Sequence, residues 1–445
     1  MQGARNLTEG PIMRQLFKLS LPIMGTSFIQ MAYSLTDMAW VGHLGSESVA
    51  AIGAVGILAW MTTSISYLNK VGSEVCVGQA VGVRDEENAR RYAAHNITIA
   101  LIISLVWSIP MCLFAPLAIS FFSLEASIAA KAIIYLRIVS TAFPFIFLTS
   151  AFAGIYNASG LSKIPFYISG SGLLLNMILD PLFIFGFHLG TTGAAIATWI
   201  AEAVVCLLFI IWLKKKLPLF GGFAFFAKLK HSITVRIVKI GLPVAMLNTL
   251  FSIINLLMAR TASAEGGYIG VMALTAGGQI EAIAWNTAQG FSTGLSAFVA
   301  QNYAARAMNR VLTAIHNVLI LTSSLGVIVS VLFIFLGGPL FSLFVPEKIA
   351  WDAGGLFLRI DGYSMILMMV EITMQGFFYG TGRTIPPAII SITFNSLRIP
   401  MAILFTSLGF GIAGVWWAIS ASSMMKGITS FIWFEVLKKR VLMKK

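Results

Sequence analysis

Two aspartates inside long apolar stretches are the residues of this sequence best placed to do chemistry. Asp37 lies six residues before His43, and Asp180 lies about seven residues before the end of its apolar stretch. If both stretches are helices, which rise 1.5 Å per residue, the two carboxyls lie at a similar depth. Thr198 has a matching depth in the next stretch, and Asn176 is one helical turn from Asp180. Two carboxyls, an amide oxygen and a hydroxyl would therefore meet at one level.

Such a set of oxygens has two chemical uses. Carboxylate, amide and hydroxyl oxygens are ligands for a hard cation, here a sodium ion at Asp37, Asn176, Asp180 and Thr198. Alternatively, the two carboxyls share a proton, because two neighbouring carboxylates disfavour each other's charge. The simplest remaining reading is that each side chain only hydrogen-bonds within a polar seam between helices. We expect a cation-coupling site.

The first apolar stretch carries two further features. Gln30 and Tyr33 precede Asp37 at helical spacing and form one polar and aromatic stripe. This stripe would line a substrate pocket, with packing against a neighbouring helix as the alternative. Pro22 interrupts the hydrogen bonding of its helix and is predicted to act as a hinge.

Three acidic residues in the second half of the chain are candidates for a second polar site. Glu281, Asp361 and Glu371 all fall inside apolar stretches, where an ionisable side chain is a functional candidate by default. No spacing rule joins them. The alternative is that they only neutralise arginines nearby in the sequence: Arg260, Arg359 and Arg398.

The composition indicates which elements position these side chains. Of 445 residues, 58% are hydrophobic and 11% are charged, whereas soluble proteins carry about 25% charged residues. At about 20 residues per spanning helix, the chain has material for twelve spans. The apolar stretches lie at about 15–41, 50–80, 93–118, 132–157, 165–187, 192–213, 240–263, 270–302, 312–336, 352–379, 385–408 and 411–437. The predicted fold is an all-α polytopic membrane protein with twelve transmembrane helices.

The net charge of +13 is explained by membrane orientation. Most lysines and arginines fall in alternate connections, on the same side as both termini and the linker 214–239. Basic residues favour the cytoplasmic side, so the sequence predicts cytoplasmic termini in a multi-pass protein of the cell (inner) membrane. We therefore expect a lipid bilayer and no nucleic acid among its partners.

The two halves of the sequence repeat each other. Lys18 to Pro22 recurs as Lys239 to Pro243, and further matches keep an offset of about 220 residues. Six spans return the chain to its starting side, so the halves are predicted to be parallel repeats. We place an N-lobe at 1–213, a cytoplasmic linker at 214–239 and a C-lobe with a basic tail at 240–445.

The acid pair does not follow the repeat. The position equivalent to Asp37 is Met258, and the position equivalent to Asp180 is Ile399. The ionic site is therefore predicted in the first half alone.

The sequence resembles the multidrug and toxic compound extrusion (MATE) family over nearly its whole length. The resemblance rests on four segments: Leu21-Pro22, Thr36 to Gly45, Gly154 to Gly160, and Leu175-Asn176 with Asp180-Pro181. It implies two six-helix lobes that export organic, often cationic, compounds in exchange for H⁺ or Na⁺ by alternating access.

The resemblance also implies residue roles. Asp37, Asn176, Asp180 and Thr198 match the N-lobe cation site of the DinF-type branch, and Pro22 matches its bending proline. The NorM-type branch has an acidic residue in span 7 where this chain has Met258. That departure argues against a NorM-like sodium site in the C-lobe, although Asp361 and Glu371 keep one open.

No catalytic motif competes with transport. The sequence has no Walker loop, HExxH or GxSxG, so an enzyme is not expected. We expect no cofactor besides the coupling ion, drug-like or cationic small-molecule substrates, and a monomer. The alternative function is a flippase for a lipid-linked oligosaccharide or another amphiphile, which would favour more basic residues near its substrate pyrophosphate.

Overall fold

A computed structural model of the chain describes residues 5–122, 124–216, 225–343 and 348–439. These ranges are built of helices and short connections, and no strand occurs in them. The predicted lobes and linker each extend beyond this part of the chain. Positions outside the described residues are 1–4 and 123 of the N-lobe, 217–224 of the linker, and 344–347 and 440–445 of the C-lobe.

Thirteen α-helices follow one another in the described ranges, and two of them continue as π-helical turns. They are α1 (Ile12–Gly42), α2 (Ser46–Gly82), α3 (Glu86–Leu113), α4 (Ala115–Ser120), α5 (Ala126–Ala158), α6 (Lys163–Pro181, continuing as Leu182–Gly186), α7 (Gly190–Lys216), α8 (His231–Ala304), α9 (Met308–Ser342), α10 (Lys348–Gly362), α11 (Met365–Gly380), α12 (Ile385–Phe405, continuing as Thr406–Phe410) and α13 (Ile412–Leu437).

The helices agree with an all-α membrane protein. Within the described ranges, eight helices are long and apolar enough to cross a membrane, and α10 with α11 form a ninth candidate. The 74-residue helix α8 holds two of the predicted spans, and its backbone leaves helical geometry between them at Gly267. Each of the twelve predicted stretches coincides with helix, which is consistent with twelve spans.

One predicted span differs in shape from the expectation. The stretch 352–379 was predicted as a single span, but α10 and α11 meet there at a bend of 55°. The break follows Gly362, whose carbonyl accepts a hydrogen bond of 2.7 Å from Ser330 Oγ. The hydroxyl satisfies a carbonyl at the helix end, which makes the break tolerable in an apolar environment.

The chain divides into two compact units. One unit contains Leu21–Ala245 and the residues up to Glu9, and the other contains Gly10–Ser20 and the residues from Met246. The first residues of α1 therefore group with the second half, and the first part of α8 groups with the first half. Both divisions fall within two or three residues of a proline, Pro22 in α1 and Pro243 in α8.

Each unit has its own apolar core. In the first unit α5 packs against α2, α3 and α7, and it buries Phe143, Phe147 and Phe152 completely or almost so. In the second unit Phe357 of α10 meets the edge of the Trp416 ring at a centroid distance of 5.0 Å. Long, aromatic-rich spans thus provide the close packing that must hold helices together in lipid.

The end of the described linker is attached to α3. The Thr98 hydroxyl accepts a hydrogen bond from the Ala227 backbone N–H at 3.0 Å. One helical turn earlier, His95 Nε2 accepts one from the Lys230 N–H at 3.2 Å. These two side chains fix the segment that enters α8.

The sequence repeat has a backbone counterpart at two helix ends. Gly160 follows α5 with φ +75°, and Gly382 follows α11 with φ +76°. After Gly160, the Leu161 N–H reaches the Tyr156 carbonyl at 2.9 Å. After Gly382, the Arg383 N–H reaches the Phe378 carbonyl at 2.8 Å. Both are Schellman caps, in which glycine adopts the left-handed conformation without steric cost.

The other repeated glycine permits close helix packing. A Cβ atom at Gly154 would overlap the Lys70 carbonyl of α2, and one at Gly376 would overlap the Ser292 carbonyl of α8. Lys70 and Ser292 are themselves equivalent in the repeat, 222 residues apart. The repeat therefore preserves a contact between helices as well as a turn.

We expect Gly154→Ala to lower the stability of the first unit by about 1–3 kcal/mol, because α2 and α5 would have to separate to admit the methyl group. Thermal unfolding in detergent measures the effect. Gly56→Ala is a matched control on α2, since a Cβ there meets nothing within 4 Å. Equal melting temperatures for the two variants would contradict the close packing at Gly154.

Candidate functional site

The structure brings Asp37 and Asp180 together. Asp37 lies on α1 and is half-buried, whereas Asp180 lies in the last turn of α6 and is 1% exposed. The two carboxyls are close enough to interact side chain to side chain. Asp37 Oδ1 and Asp180 Oδ2 are both buried and receive no hydrogen bond. A shared proton or a bound cation would offset the repulsion between two carboxylates at this contact.

Asn176 and Thr198 add two more oxygens to this pair. Asn176 Nδ2 donates to Asp180 Oδ1 at 3.2 Å, which leaves the Asn176 Oδ1 buried without a donor. Thr198 Oγ1 on α7 is likewise buried without a partner. We call these four residues the N-site: Asp37, Asn176, Asp180 and Thr198. Its oxygens suit a monovalent cation or a shared proton.

The N-site differs from a transition-metal centre. In the described part of the chain, no group of three or more His, Cys, Asp or Glu side chains is arranged to hold a metal ion. The N-site has two carboxyls, with an amide and a hydroxyl oxygen in place of stronger ligands. These oxygens are of the kind that hard cations accept, and none of the four residues is a His or Cys ligand.

Two tyrosines border the N-site. The Tyr33 and Tyr135 hydroxyls lie near Thr198, and both rings lie within electrostatic range of Asp37 and Asp180. Tyr33 was predicted as a pocket-lining residue. Tyr135, from α5, was missed, because only the packing of α5 against α7 brings it here. Gln30, also predicted to line a pocket, is exposed on α1.

Helix geometry explains how α6 presents its two ligands. Asn176 and Asp180 are four residues apart and so lie on one face. Pro181 has no backbone N–H, which leaves the Met177 carbonyl without its usual donor. From Leu182 the chain continues as a wider π-helical turn. Asp180 thus lies in the last turn before the helical geometry changes.

The three predicted acids of the second half lie in a different electrostatic setting. Glu371 pairs with Lys426 of α13 at 3.2 Å, and both side chains are buried. Gln375 and Ser391 donate to Glu371 Oε1 at 3.1 and 3.0 Å. Protein groups therefore supply both the counter-charge and the hydrogen bonds of this carboxylate. Sequence reasoning missed Lys426, although a lysine inside an apolar stretch is itself a signal.

Arg398 supplies a second buried positive charge to this cluster. In the described ranges its guanidinium forms no ion pair with a carboxylate. It donates to Ser422 Oγ at 2.7 Å and to Ser423 Oγ at 3.1 Å. It lies within electrostatic range of Glu281, Glu371 and Asp361. Of the three arginines predicted as possible partners of these acids, Arg260, Arg359 and Arg398, only Arg398 lies within this range.

The other two arginines do not pair with these acids. One carboxylate oxygen of Asp361 also has no partner. Arg260 and Arg359 are exposed, and no ion pair joins them to these acids in the described ranges. Asp361 accepts from Ser364 Oγ at 3.4 Å through one oxygen, while its Oδ2 is buried without a partner. We call the cluster of Glu281, Asp361, Glu371, Arg398 and Lys426 the C-cluster.

The two sites therefore differ in charge balance. The N-site carboxyls have no ion-pair partner among the described residues, and none of the groups acting on them is basic. The C-cluster holds three acids and two bases. A carboxylate in an apolar interior needs a compensating positive charge. The C-cluster contains its own basic side chains, whereas the N-site carboxyls have none among the described residues.

We expect Lys426→Met to destabilise the protein by about 3–5 kcal/mol, because Glu371 would remain buried without its partner. The double variant Lys426→Met with Glu371→Met should recover most of this loss, because both charges are then removed. Thermal unfolding in detergent of the two single variants and the double variant measures the coupling. Additive losses in the double variant would show that the pair does not act as a unit.

Comparison with known proteins agrees with the repeat and the fold. A family model described as MatE matches residues 22–182 and 243–404, one segment in each half. The probable multidrug resistance protein NorM of Thermotoga maritima is 25% identical over 437 residues, which cover 95% of this chain and 92% of that protein. The multidrug export protein MepA of Staphylococcus aureus is 21% identical, with 97% and 96% covered.

A solved structure has the same fold. An outward-facing multidrug resistance MATE family transporter of the MOP superfamily superposes with a TM-score of 0.92 at 23% identity, covering 100% of this chain and 99% of that one. The family match spans most of the sequence, and the helices match in order and packing. The chain is a multi-pass membrane protein that belongs to the MatE family of transporters.

Proposed function

We propose that this transporter exports drug-like organic compounds, often cationic, in antiport with a monovalent cation, H⁺ or Na⁺. Two kinds of observation support the proposal. The relatives NorM and MepA carry the names of multidrug resistance and multidrug export proteins. The N-site supplies two carboxyls that have no basic partner among the described residues, which a secondary transporter needs in order to bind a coupling ion.

The contact between Asp37 and Asp180 is the observation that carries the proposal. With both carboxyls ionised and empty, the N-site attracts cations; with a proton or Na⁺ bound, it loses one negative charge. A ligand shifts a conformational equilibrium only by its difference in affinity for the two states. The coupling ion therefore drives transport if the distance between α1 and α6 at this pair changes between states.

The cycle follows from this charge change. Facing outward, the N-site takes up a coupling ion, and the decrease in negative charge releases a cationic substrate. After the two lobes exchange access, the ion leaves to the cytoplasm and the carboxyls again attract substrate. This alternating access requires α1 to move, with Pro22 as the place where its helical hydrogen bonding is weakest.

Orientation and assembly are part of the same proposal. We place the protein in the cell (inner) membrane with both termini in the cytoplasm, as the distribution of basic residues favours. We propose that it functions as a monomer. Its relatives do not favour the flippase alternative, and the acidic N-site would repel a lipid-linked pyrophosphate.

We expect Asp37→Asn to reduce ion-driven efflux to below about a tenth of the wild-type rate, because the N-site can no longer bind its cation with full charge. Efflux of a fluorescent cation from membrane vesicles measures the rate, and the amount of protein inserted is compared in parallel. Asp352→Asn is the matched control, since Asp352 is exposed on α10. Full transport by the Asp37 variant would overturn the proposed role of the N-site.

The identity of the coupling ion is a separate experiment. Purified protein in liposomes is given either a pH gradient at equal Na⁺ or a Na⁺ gradient at equal pH. We expect one of the two gradients to drive transport by the wild type and neither to drive it in the Asp37→Asn variant. Transport that is independent of both gradients would contradict antiport with either ion.

A further inference from the structure

Glu202 is a carboxylate in the middle of α7 that the N-site does not use. It is the thirteenth residue of a 27-residue helix, which places it near the centre of the span. No hydrogen bond or ion pair joins it to another side chain in the ranges that the structure describes. A carboxylate at this depth without a partner carries a large free-energy cost and is a functional candidate for that reason.

Glu202 faces the N-site. It lies one helical turn after Thr198, so the two side chains leave α7 on the same face. It lies within electrostatic range of Asp37 and of Tyr33, both on α1. Protein surrounds the carboxyl, but its side chain keeps intermediate accessibility. Glu202 therefore lies beside the N-site and remains partly accessible.

The N-site itself gives independent support for a ligand beside Glu202. Asn176 is fully buried and Asp180 is 1% exposed, and each directs an oxygen at the site without a donor. One monovalent ion at the Asp37–Asp180 pair compensates one negative charge. Glu202 would remain without a counter-charge, since no basic side chain is among the groups that act on it.

The C-cluster provides a comparison, because it contains a buried carboxylate whose charge is balanced by the protein itself. There Glu371 is held by Lys426 and two hydrogen bonds. Glu202 has neither kind of partner, and its accessibility allows a small molecule to reach it. The difference indicates that the counter-charge of Glu202 arrives with a ligand.

We propose that Glu202 recognises the positive charge of a cationic organic substrate and sets the preference for cations over neutral compounds. This inference rests on the proposed efflux function. Glu202 lies about 6 Å further along α7 than Thr198, so substrate and coupling ion occupy adjacent positions. Tyr33 lies within electrostatic range of Glu202, so its ring is available for a cation–π contact with the same substrate.

A matched pair of probes tests this assignment. Berberine is a planar quaternary cation, and dihydroberberine is its uncharged reduced form with nearly the same shape. Binding of each probe to the purified full-length protein is measured by quenching of tryptophan fluorescence. We expect Glu202→Gln to raise the Kd for berberine at least tenfold and to change that for dihydroberberine less than twofold. Glu202→Asp, which keeps the charge, should lie between wild type and Glu202→Gln.

The controls separate recognition from folding and from the proposed function. Glu125→Gln removes the same charge at an exposed helix start and should leave both Kd values unchanged. The role of Glu202 in charge recognition is overturned if Glu202→Gln raises the Kd for both probes equally or changes neither Kd. If the wild type binds and exports berberine in that case, the efflux function stands. If the wild type neither binds nor exports either probe, both proposals fail.

Discussion

The cost of an ionised carboxylate in an apolar interior governs the chemistry of this protein. The C-cluster meets that cost internally, with Lys426 and Arg398 among its three acids. The N-site does not: among the described residues it has no basic partner, and one buried oxygen of each of its four residues has no hydrogen-bond partner. The second half thus supplies two basic side chains to its buried acids, whereas the carboxyl pair of the first half has no basic partner among the described residues. In the cycle that we propose, the coupling ion therefore acts on the first half.

The two halves agree more closely in their helix packing than in the charged residues of their interiors. Gly154 and Gly376 keep the same close approach between equivalent helices, although their surroundings share little sequence. At the positions of the acid pair, by contrast, the second half has Met258, which is buried, and Ile399. Helix packing in lipid depends on small residues at fixed places and tolerates little change. A charge in the interior can be moved or lost without disturbing that packing.

The sequence predicted what depends on local pattern. Hydropathy predicted twelve stretches that coincide with helix, and helical rise predicted a similar depth for Asp37 and Asp180, whose carboxyls the structure brings together. Local sequence pattern does not predict which helices distant in the sequence pack together. Tyr135 joins the N-site, and Lys426 pairs with Glu371, only because α5 and α13 pack where they do. The bend between α10 and α11 was also missed, because an apolar composition does not record whether a helix is continuous.

Two loops place arginine where the backbone favours glycine. Arg84 after α2 and Arg306 after α8 have φ values of 60° and 58°, the left-handed conformation that costs a residue with a Cβ about 1–2 kcal/mol. Gly160 and Gly382 show that the same chain uses glycine at equivalent helix ends elsewhere. Arg84 and Arg306 are 222 residues apart, the same offset that relates Gly160 to Gly382. Both halves of the chain therefore accept the same conformational cost at an equivalent turn, so the inherited backbone geometry persists even where no glycine is present.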